Sequence, residues 1–239
     1  MTRQLALIHL AGNALLLLFG YYWLGIGESR AATLAWSGMV LVALVCLTCT
    51  LHGATFLSLG GAGFRPALRT TARNLLPILV VVLAALAIYL LLAQWADYSQ
   101  QPAYRIASWL TLKLRKPVKP AAVMRVFNAV LWLIEWAAIP VFLLPVLSAV
   151  SARGWRGLRL TAPSRRYWIQ APILLLLALW VPLKLVGWTA YRGSFGLEMF
   201  SFILRAVTAY LLFVAAWLAL AFATVGAGFG FSGPGTKPS

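Results

Sequence analysis

Six long runs of apolar residues divide the sequence, and mostly short polar or basic segments connect them. The runs cover residues 5–26, 31–57, 75–94, 123–150, 168–185 and 200–225. A run of about 20 apolar residues with few charges is long enough to span a bilayer as a helix. Lipid offers no hydrogen bonds to the backbone, so such runs must be helical, and their continuous hydrophobicity does not fit barrel strands. The pattern predicts an all-α integral membrane protein with six transmembrane helices arranged as three hairpins.

One connection, residues 95–122, is too long for a simple turn. Within it leucine alternates with polar residues at 110–114, as in a strand, but Ile106, Trp109 and Leu110 also suit one face of a helix. We expect an interfacial amphipathic segment between helices 3 and 4, helical rather than extended, and ended by the prolines that follow it.

The domain organisation follows from the same pattern. Residues 1–225 are expected to form a single six-helix transmembrane domain, and residues 226–239 a flexible, glycine-rich tail. The first run is too long for the apolar core of a signal peptide, so it is expected to be a retained helix. The chain is 62% hydrophobic and only 10% charged, whereas a soluble domain is about half apolar and a quarter charged. This composition excludes an ordinary soluble protein.

The chain is strongly basic, with 20 Lys and Arg against four Asp and Glu. Cytoplasmic loops of membrane proteins are enriched in Lys and Arg, but here the two sides of the bundle tie in number. The compact basic group at 153–166 favours cytoplasmic termini in the inner (plasma) membrane. Arg65, Arg69 and Arg73 recur every four residues and would form one stripe on a helix.

The expected partners of these basic residues are lipids. Each Lys or Arg near an anionic membrane surface is worth about 1 kcal/mol, so anionic lipid headgroups account for the charge. A nucleic-acid partner is not expected, because no fold or stacking platform typical of nucleic-acid binders is present. The remaining expected partners are the bilayer itself and, if the chain is a complex subunit, other membrane proteins.

Glu135 is the sharpest candidate for chemistry inside the membrane, because ionisable residues within spans are costly and often functional. It is flanked by Trp132 and Trp136, and Pro140 removes the N–H that would bond the Trp136 carbonyl. Together these groups could hold a cation or a proton, as unwound segments of transporters do. The alternative is a protonated carboxyl bonded to a neighbouring helix, for which the candidate partners are Asn13, His9 and Thr208.

A second constellation is Cys46, Cys49 and His52, whose spacing of three places them on one broad face of helix 2. His9 of helix 1 lies toward the same membrane surface. Cys and His can ligate metals, and two facing histidines can ligate a haem iron. The alternative is structural, since small Cys side chains pack well between helices. We favour the structural interpretation and expect neither a metal nor another cofactor.

Three arginines, Arg30, Arg125 and Arg205, stand near the predicted starts of the even-numbered helices. Cations are unfavourable at a helix N-terminus, where the helix dipole is positive. An anion should therefore compensate them. Lipid phosphate reached by snorkelling is one candidate, and an anionic ligand bound by all three is the other.

Known catalytic motifs are absent from the sequence. It has no Walker-A loop, no HExxH and no GxSxG elbow, and four acids cannot supply the paired carboxylates of magnesium-dependent transferases. We therefore expect a non-catalytic inner-membrane bundle acting as a complex subunit, scaffold or lipid-binding protein. The alternatives are a small transporter or permease subunit with a midplane site around Glu135, and a haem- or metal-binding membrane protein using His9 and His52.

Overall fold

The computed structural model describes residues 2–27, 29–158, 163–188 and 194–226. These residues form ten α-helices and no strand: α1 (Thr2–Leu24), α2 (Ala31–Leu59), α3 (Phe64–Arg73), α4 (Leu75–Tyr98), α5 (Gln100–Leu114), α6 (Pro120–Leu133), α7 (Ile139–Arg153), α8 (Tyr167–Leu175), α9 (Val181–Gly187) and α10 (Phe195–Gly226). Two π-helical segments, Ile134–Ala138 and Leu176–Trp180, join α6 to α7 and α8 to α9, and a 3₁₀ helix, Gly154–Leu158, follows α7.

Six helical stretches in the described part of the chain are long and apolar enough to cross a membrane. They are Arg3–Leu24, Ala31–Leu59, Leu75–Ala96, Pro120–Leu158, Tyr167–Gly187 and Phe195–Gly226. The predicted all-α membrane fold is therefore confirmed. Large apolar side chains such as Leu7, Leu17 and Leu90 are more than half exposed. In a membrane protein these side chains face lipid, which is as apolar as they are.

The chain is divided into two compact units. The first contains residues 1–79 and 144–239, and the second contains residues 80–143. In the first unit α10 packs against α1, α2, α8 and α9. The second unit includes α5 and α6, which pack against each other through Ala103 and Ala107 of α5 and Val123 of α6.

The first hairpin, α1 and α2, is held at its turn by aromatic side chains. Trp23 Nε1 donates to Ser37 Oγ at 3.0 Å, and Trp36 Nε1 donates to the Tyr22 hydroxyl at 3.1 Å. Trp and Tyr favour the polar boundary of a bilayer, where an apolar ring can keep a hydrogen bond. These pairs are suited to the end of a transmembrane hairpin.

The connection between α2 and α4 contains a helix, α3, and carries the predicted arginine stripe. Ala67 and Thr71 are buried on one face, whereas the guanidinium groups of Arg65, Arg69 and Arg73 are exposed on the other. Gly53 of α2 permits this packing, because a Cβ there would lie 2.5 Å from Thr71 Cγ2. The stripe is confirmed, and its buried face fixes the direction in which the arginines point.

The end of α7 is fastened to the start of α4 through Asn74. Its Nδ2 donates to the Ser151 carbonyl at 3.0 Å, and its Oδ1 would lie 2.9 Å from a Cβ on Gly154. Gly154 has φ +58°, a conformation that suits glycine. The 3₁₀ turn that follows brings Gly157 against the backbone of Ala149 and Val150. Two basic connections of the first unit, residues 60–74 and 153–158, thus meet through Asn74. We call this place the basic corner.

The long connection before the fourth spanning helix, residues 95–122, contains a helix, as predicted. α5 covers residues 100–114 and ends at Arg115, which adopts the left-handed conformation with φ 52°. Thr111 Oγ1 then accepts a hydrogen bond from Val118 N at 2.9 Å, which closes the turn into α6. Its predicted place at the membrane interface stays a prediction. The predicted glycine-rich tail beyond Gly226 lies outside the described residues.

Candidate functional site

Each of the two π-helical segments is followed by one residue and then a proline. Ile134–Ala138 precedes Ile139 and Pro140, and Leu176–Trp180 precedes Val181 and Pro182. A π-helical turn bonds each carbonyl to the N–H five residues later, and proline has no N–H. Each segment therefore leaves one backbone carbonyl inside the membrane without its helical donor.

In the first segment the orphaned carbonyl belongs to Glu135. The N–H of Ile139 donates to Ile134, so it is not available to Glu135, and Pro140 has no N–H to give. The Tyr89 hydroxyl of α4 donates to the Glu135 carbonyl oxygen at 2.7 Å. The prediction that Pro140 frees the Trp136 carbonyl stays a prediction, and the π register adds the Glu135 carbonyl as a second group that loses its donor to Pro140.

The Glu135 side chain is only half-buried, and Trp132 and Trp136 are more than a third exposed. The proposed bonding partners of its carboxyl have other partners. His9 and Asn13 bond each other, and Thr208 donates to the Leu204 carbonyl at 2.8 Å. The backbone carbonyl of Glu135 itself accepts the Tyr89 hydroxyl, and the structure gives the carboxyl of Glu135 none of the three partners predicted for it.

In the second segment the corresponding carbonyl belongs to Leu177. The N–H of Val181 donates to Leu176, and Pro182 occupies the position from which the π-register donor would come. The Leu177 carbonyl therefore has neither its α-helical nor its π-helical donor. A carbonyl in an apolar environment requires a donor from elsewhere, because leaving it unpaired costs free energy.

A buried polar link joins α1 and α2. His9 is fully buried, and its Nε2 lies 2.5 Å from Thr55 Oγ1. The single hydroxyl proton of Thr55 is donated to the Leu51 carbonyl at 2.9 Å, so His9 Nε2 must be the donor to Thr55. Its Nδ1 then accepts from Asn13 Nδ2 at 3.1 Å. The network assigns His9 as a neutral imidazole with both nitrogens engaged.

Replacing Thr55 with valine should destabilise the protein by about 1–3 kcal/mol, because the buried His9 N–H would lose its acceptor. The comparison variant is Thr208→Val, which deletes the same kind of hydroxyl-to-carbonyl bond at an exposed position. Melting temperatures in lipid nanodiscs compare the two. Equal shifts in both variants would show that the His9 link contributes nothing.

His52 stands beside this link. Its ring centroid lies 5.5 Å from that of His9 and 4.7 Å from that of Trp217, which it meets edge-on. His52 Nδ1 and Trp217 Nε1 are buried without hydrogen-bond partners among the described residues. The structure thus brings together the two histidines that the sequence singled out.

The two cysteines of the constellation, Cys46 and Cys49, are free thiols and half-buried on α2. Within the described residues no group of three or more His, Cys, Asp or Glu side chains is arranged to hold a metal ion. Both nitrogens of His9 are also engaged in hydrogen bonds. A haem or metal site at His9 and His52 stays a prediction that this geometry does not favour.

A cavity of about 540 Å³ lies within the first unit, among α1, α2, the second π segment, α9 and α10. Its wall is mostly leucine, alanine and other apolar side chains, with Pro182 of the kinked span among them. The polar residues that line it are Asn13, Thr48, His52 and Tyr210. Ligand sites typically have this volume and this combination of an apolar wall with a few polar groups.

The structure separates the three arginines by role. Arg30 precedes α2, where its backbone N–H donates to Thr33 Oγ1 at 3.3 Å. Arg125 and Arg205 are not at helix starts, because α6 begins five residues before Arg125 and α10 begins ten residues before Arg205. The predicted starts at 123 and 200 were too late, since the helices begin at Pro120 and Phe195.

Arg205 stabilises the end of α9 rather than the start of α10. Its Nη1 donates to the Leu185 carbonyl at 3.2 Å, and its guanidinium carbon lies 5.3 Å from the centre of the Trp188 ring. A cation near the last carbonyls of a helix complements the negative end of the helix dipole. This contact gives Arg205 a structural partner without an external anion.

No protein-family model, curated protein or solved structure matches this chain. The geometry of the described residues is therefore the basis for a functional proposal.

Proposed function

We propose that this protein is a non-catalytic, multi-pass membrane protein that binds a lipid in the cavity of its first unit. The observation that carries the proposal is the cavity itself: about 540 Å³ between spanning helices, with an apolar wall and four polar residues. A hydrocarbon chain fits such a wall, because burying apolar surface needs no specific contacts. The polar residues supply the few contacts that orient a ligand.

Anionic headgroups are the proposed partners of the basic corner. The exposed arginines of α3 lie on the connection that Asn74 fastens to the end of α7, and Arg153, Trp155 and Arg156 are exposed there. A tryptophan among arginines suits the interface of an anionic leaflet. This charge also supports the cytoplasm as the location of that corner and of both termini, in the inner (plasma) membrane, by the positive-inside rule.

Filling the cavity should abolish lipid binding. Ala206 lines the cavity, and Ala206→Trp places an indole in it. The control is Val207→Trp, one residue further on α10, where the side chain is 51% exposed and outside the lining. The probe is a C16 chain carrying a diazirine, in nanodiscs of phosphatidylcholine, with photolabelled residues mapped by mass spectrometry.

We expect labelling of the cavity-lining residues to fall about tenfold in Ala206→Trp and to be unchanged in Val207→Trp, because an occupied cavity excludes the chain. Equal labelling in the two variants would overturn the proposal.

A small transporter with a site around Glu135 remains the alternative. It is supported by the π-helical segments and prolines of the fourth and fifth spans, since broken helices line the sites of many transporters. The Glu135 carbonyl already accepts the Tyr89 hydroxyl, and the Glu135 side chain is only half-buried. The lipid-binding proposal is therefore the better supported of the two.

A further inference from the structure

Three of the four polar residues that line the cavity have used their polar hydrogens on the protein. The Thr48 hydroxyl donates to a carbonyl of its own helix at 2.8 Å, and the Tyr210 hydroxyl donates to a carbonyl of α1. The Asn13 amide nitrogen donates to His9 Nδ1 at 3.1 Å and to the His9 carbonyl at 2.9 Å. A hydroxyl has one proton and an amide group has two. These three residues therefore have no hydrogen-bond donor left for a ligand.

The fourth polar residue of the lining, His52, still has a proton to donate. No Asp or Glu lines the cavity, so a charged imidazolium would lack a counter-ion there and would carry a large desolvation cost. The ring is therefore neutral, with one N–H and one acceptor nitrogen. Its Nδ1 is buried without a hydrogen-bond partner among the described residues.

The enclosure of His52 Nδ1 assigns the proton to Nε2. A buried N–H without an acceptor is rarer in proteins than a buried acceptor without a donor, so the enclosed nitrogen is the one that carries the lone pair. A molecule in the cavity can also reach the polar part of the ring only at Nε2, because Nδ1 is covered by the protein. The Nε2–H group is thus the donor that the polar lining offers to a ligand.

The aromatic neighbours of His52 cannot take this proton. The Trp217 ring centroid lies 4.7 Å from that of His52, but an indole N–H only donates. The His9 ring centroid lies 5.5 Å away. Its Nδ1 already accepts from Asn13, and its Nε2 donates to Thr55. The acceptor for His52 therefore has to come from a molecule in the cavity.

The rest of the lining decides what kind of molecule that is. No Lys or Arg is among the lining residues, so an anionic head such as a phosphate or a carboxylate would be buried without a counter-ion. The wall is otherwise apolar, a surface against which a hydrocarbon chain is readily buried. The ligand that complements the cavity is thus an uncharged chain with an oxygen that accepts a hydrogen bond.

We propose that the cavity binds a neutral lipid whose head is a carbonyl group, and that His52 Nε2 donates a hydrogen bond to the carbonyl oxygen. This inference rests on the proposed function and specifies its ligand. A carbonyl accepts and has no proton to give, and the hydroxyl groups of Thr48 and Tyr210 need none, because each already makes a hydrogen bond. A plain hydrocarbon would fit the same wall but would leave the His52 N–H unpaired, which costs free energy.

Three probes test the head group in nanodiscs of an ether-linked phosphatidylcholine, a host lipid without carbonyl groups. They are a diazirine-bearing C16 methyl ketone, the alcohol of the same length and the plain hydrocarbon. Labelling of the cavity is divided by labelling of Val207, which is 51% exposed, to correct for the partition of each probe into the bilayer. In the wild-type protein the ketone should label the cavity about tenfold more than the hydrocarbon, the ratio expected for one hydrogen bond.

His52→Phe tests the donor. Phenylalanine retains an aromatic ring but has no N–H, so the ratio of ketone to hydrocarbon labelling should fall to about one. The matched control is Thr48→Val, one helical turn earlier on α2 and also in the lining. The ratio should stay at about ten in this control, because the Thr48 proton is already donated to the Leu44 carbonyl.

Nitrogen NMR tests the tautomer independently of labelling. The chain has two histidines, so histidine labelled with nitrogen-15 gives two imidazole signals sets, and His52→Phe identifies one of them. We expect the proton of His52 on Nε2, and we expect the Nε2 resonance to shift when the ketone is added but not when the hydrocarbon is added. The His9 resonances should stay in place, because both of its nitrogens are engaged. A proton on Nδ1 of His52 would overturn the proposal whatever the labelling result.

The labelling outcomes separate the ligand class from the proposed function. Equal labelling by ketone and hydrocarbon in the wild-type protein overturns the carbonyl head and leaves lipid binding intact. Stronger labelling by the alcohol than by the ketone also overturns the carbonyl head, because the lining would then require a donor from the ligand. A ratio that is unchanged in His52→Phe overturns the role of His52. No labelling of the cavity by any of the probes overturns both the ligand class and the proposed function.

Discussion

Replacing Gly157 with alanine is expected to destabilise the protein by about 3 kcal/mol, the upper part of the range for overpacking. Gly157 is buried in the 3₁₀ helix after α7. A Cβ there would overlap the carbonyl of Ala149 and lie 2.5 Å from Val150 N. These are backbone atoms, so no rotation of a side chain can relieve the overlap. The basic corner would have to separate from α7.

The control for this substitution is Gly187→Ala at the end of α9, where no atom lies within 4 Å of the new methyl group. Its stability should change by less than about 1 kcal/mol. The measurement is the melting temperature of each variant in the same nanodiscs. If Gly157→Ala and Gly187→Ala have the same melting temperature, the 3₁₀ helix does not approach α7 as closely as described.

Tyr89→Phe is expected to cost about 1–3 kcal/mol, because it leaves the Glu135 carbonyl without a donor in an apolar environment. The same substitution should cost much less when Pro140 is already alanine, since the alanine N–H then takes the place of the hydroxyl. The loss therefore depends on Pro140 and not on the tyrosine ring, which phenylalanine retains.

A double-mutant cycle over Tyr89→Phe and Pro140→Ala measures this dependence through unfolding free energies in mixed micelles. Tyr98→Phe is the control, because Tyr98 is on the same helix but 80% exposed, and its hydroxyl can bond to water or headgroups. Additive effects of Tyr89→Phe and Pro140→Ala would contradict the assignment of the hydroxyl to the orphaned carbonyl.

The fold was accessible from the pattern of apolar residues because the bilayer imposes a single solution. A run long enough to cross lipid must be a helix, so all six predicted runs appear as spanning helices. Register inside a span was not accessible in this way. The sequence pointed to the Trp136 carbonyl, but that Pro140 also leaves the Glu135 carbonyl without a helical donor became visible only with the π segment, because nothing in a uniformly apolar run marks one extra residue in a turn.

The candidate site was accessible only in part. His9, His52 and Asn13 were singled out as polar residues within apolar spans, and the burial of His9 and Asn13 agrees with the cost of exposing them to lipid. Thr48, Tyr210 and Pro182 were not singled out as site residues, since hydroxyl residues and prolines are common in membrane helices. A possible signal was the proline six residues after the start of each π segment, at Pro140 and Pro182.

Hydrophobicity along the chain thus determines three properties of this protein. It is a bundle of membrane helices, its six apolar runs are the segments that cross the bilayer, and its few polar residues within those runs are costly to bury. Those properties depend on transfer to lipid, which acts on each segment separately. The partners of the buried polar groups depend on contacts between segments far apart in the chain. The His9–Thr55 link, the Tyr89–Glu135 bond and the cavity of the first unit arise only when the helices are packed, because hydrogen bonds require a distance and a direction that no sequence pattern contains.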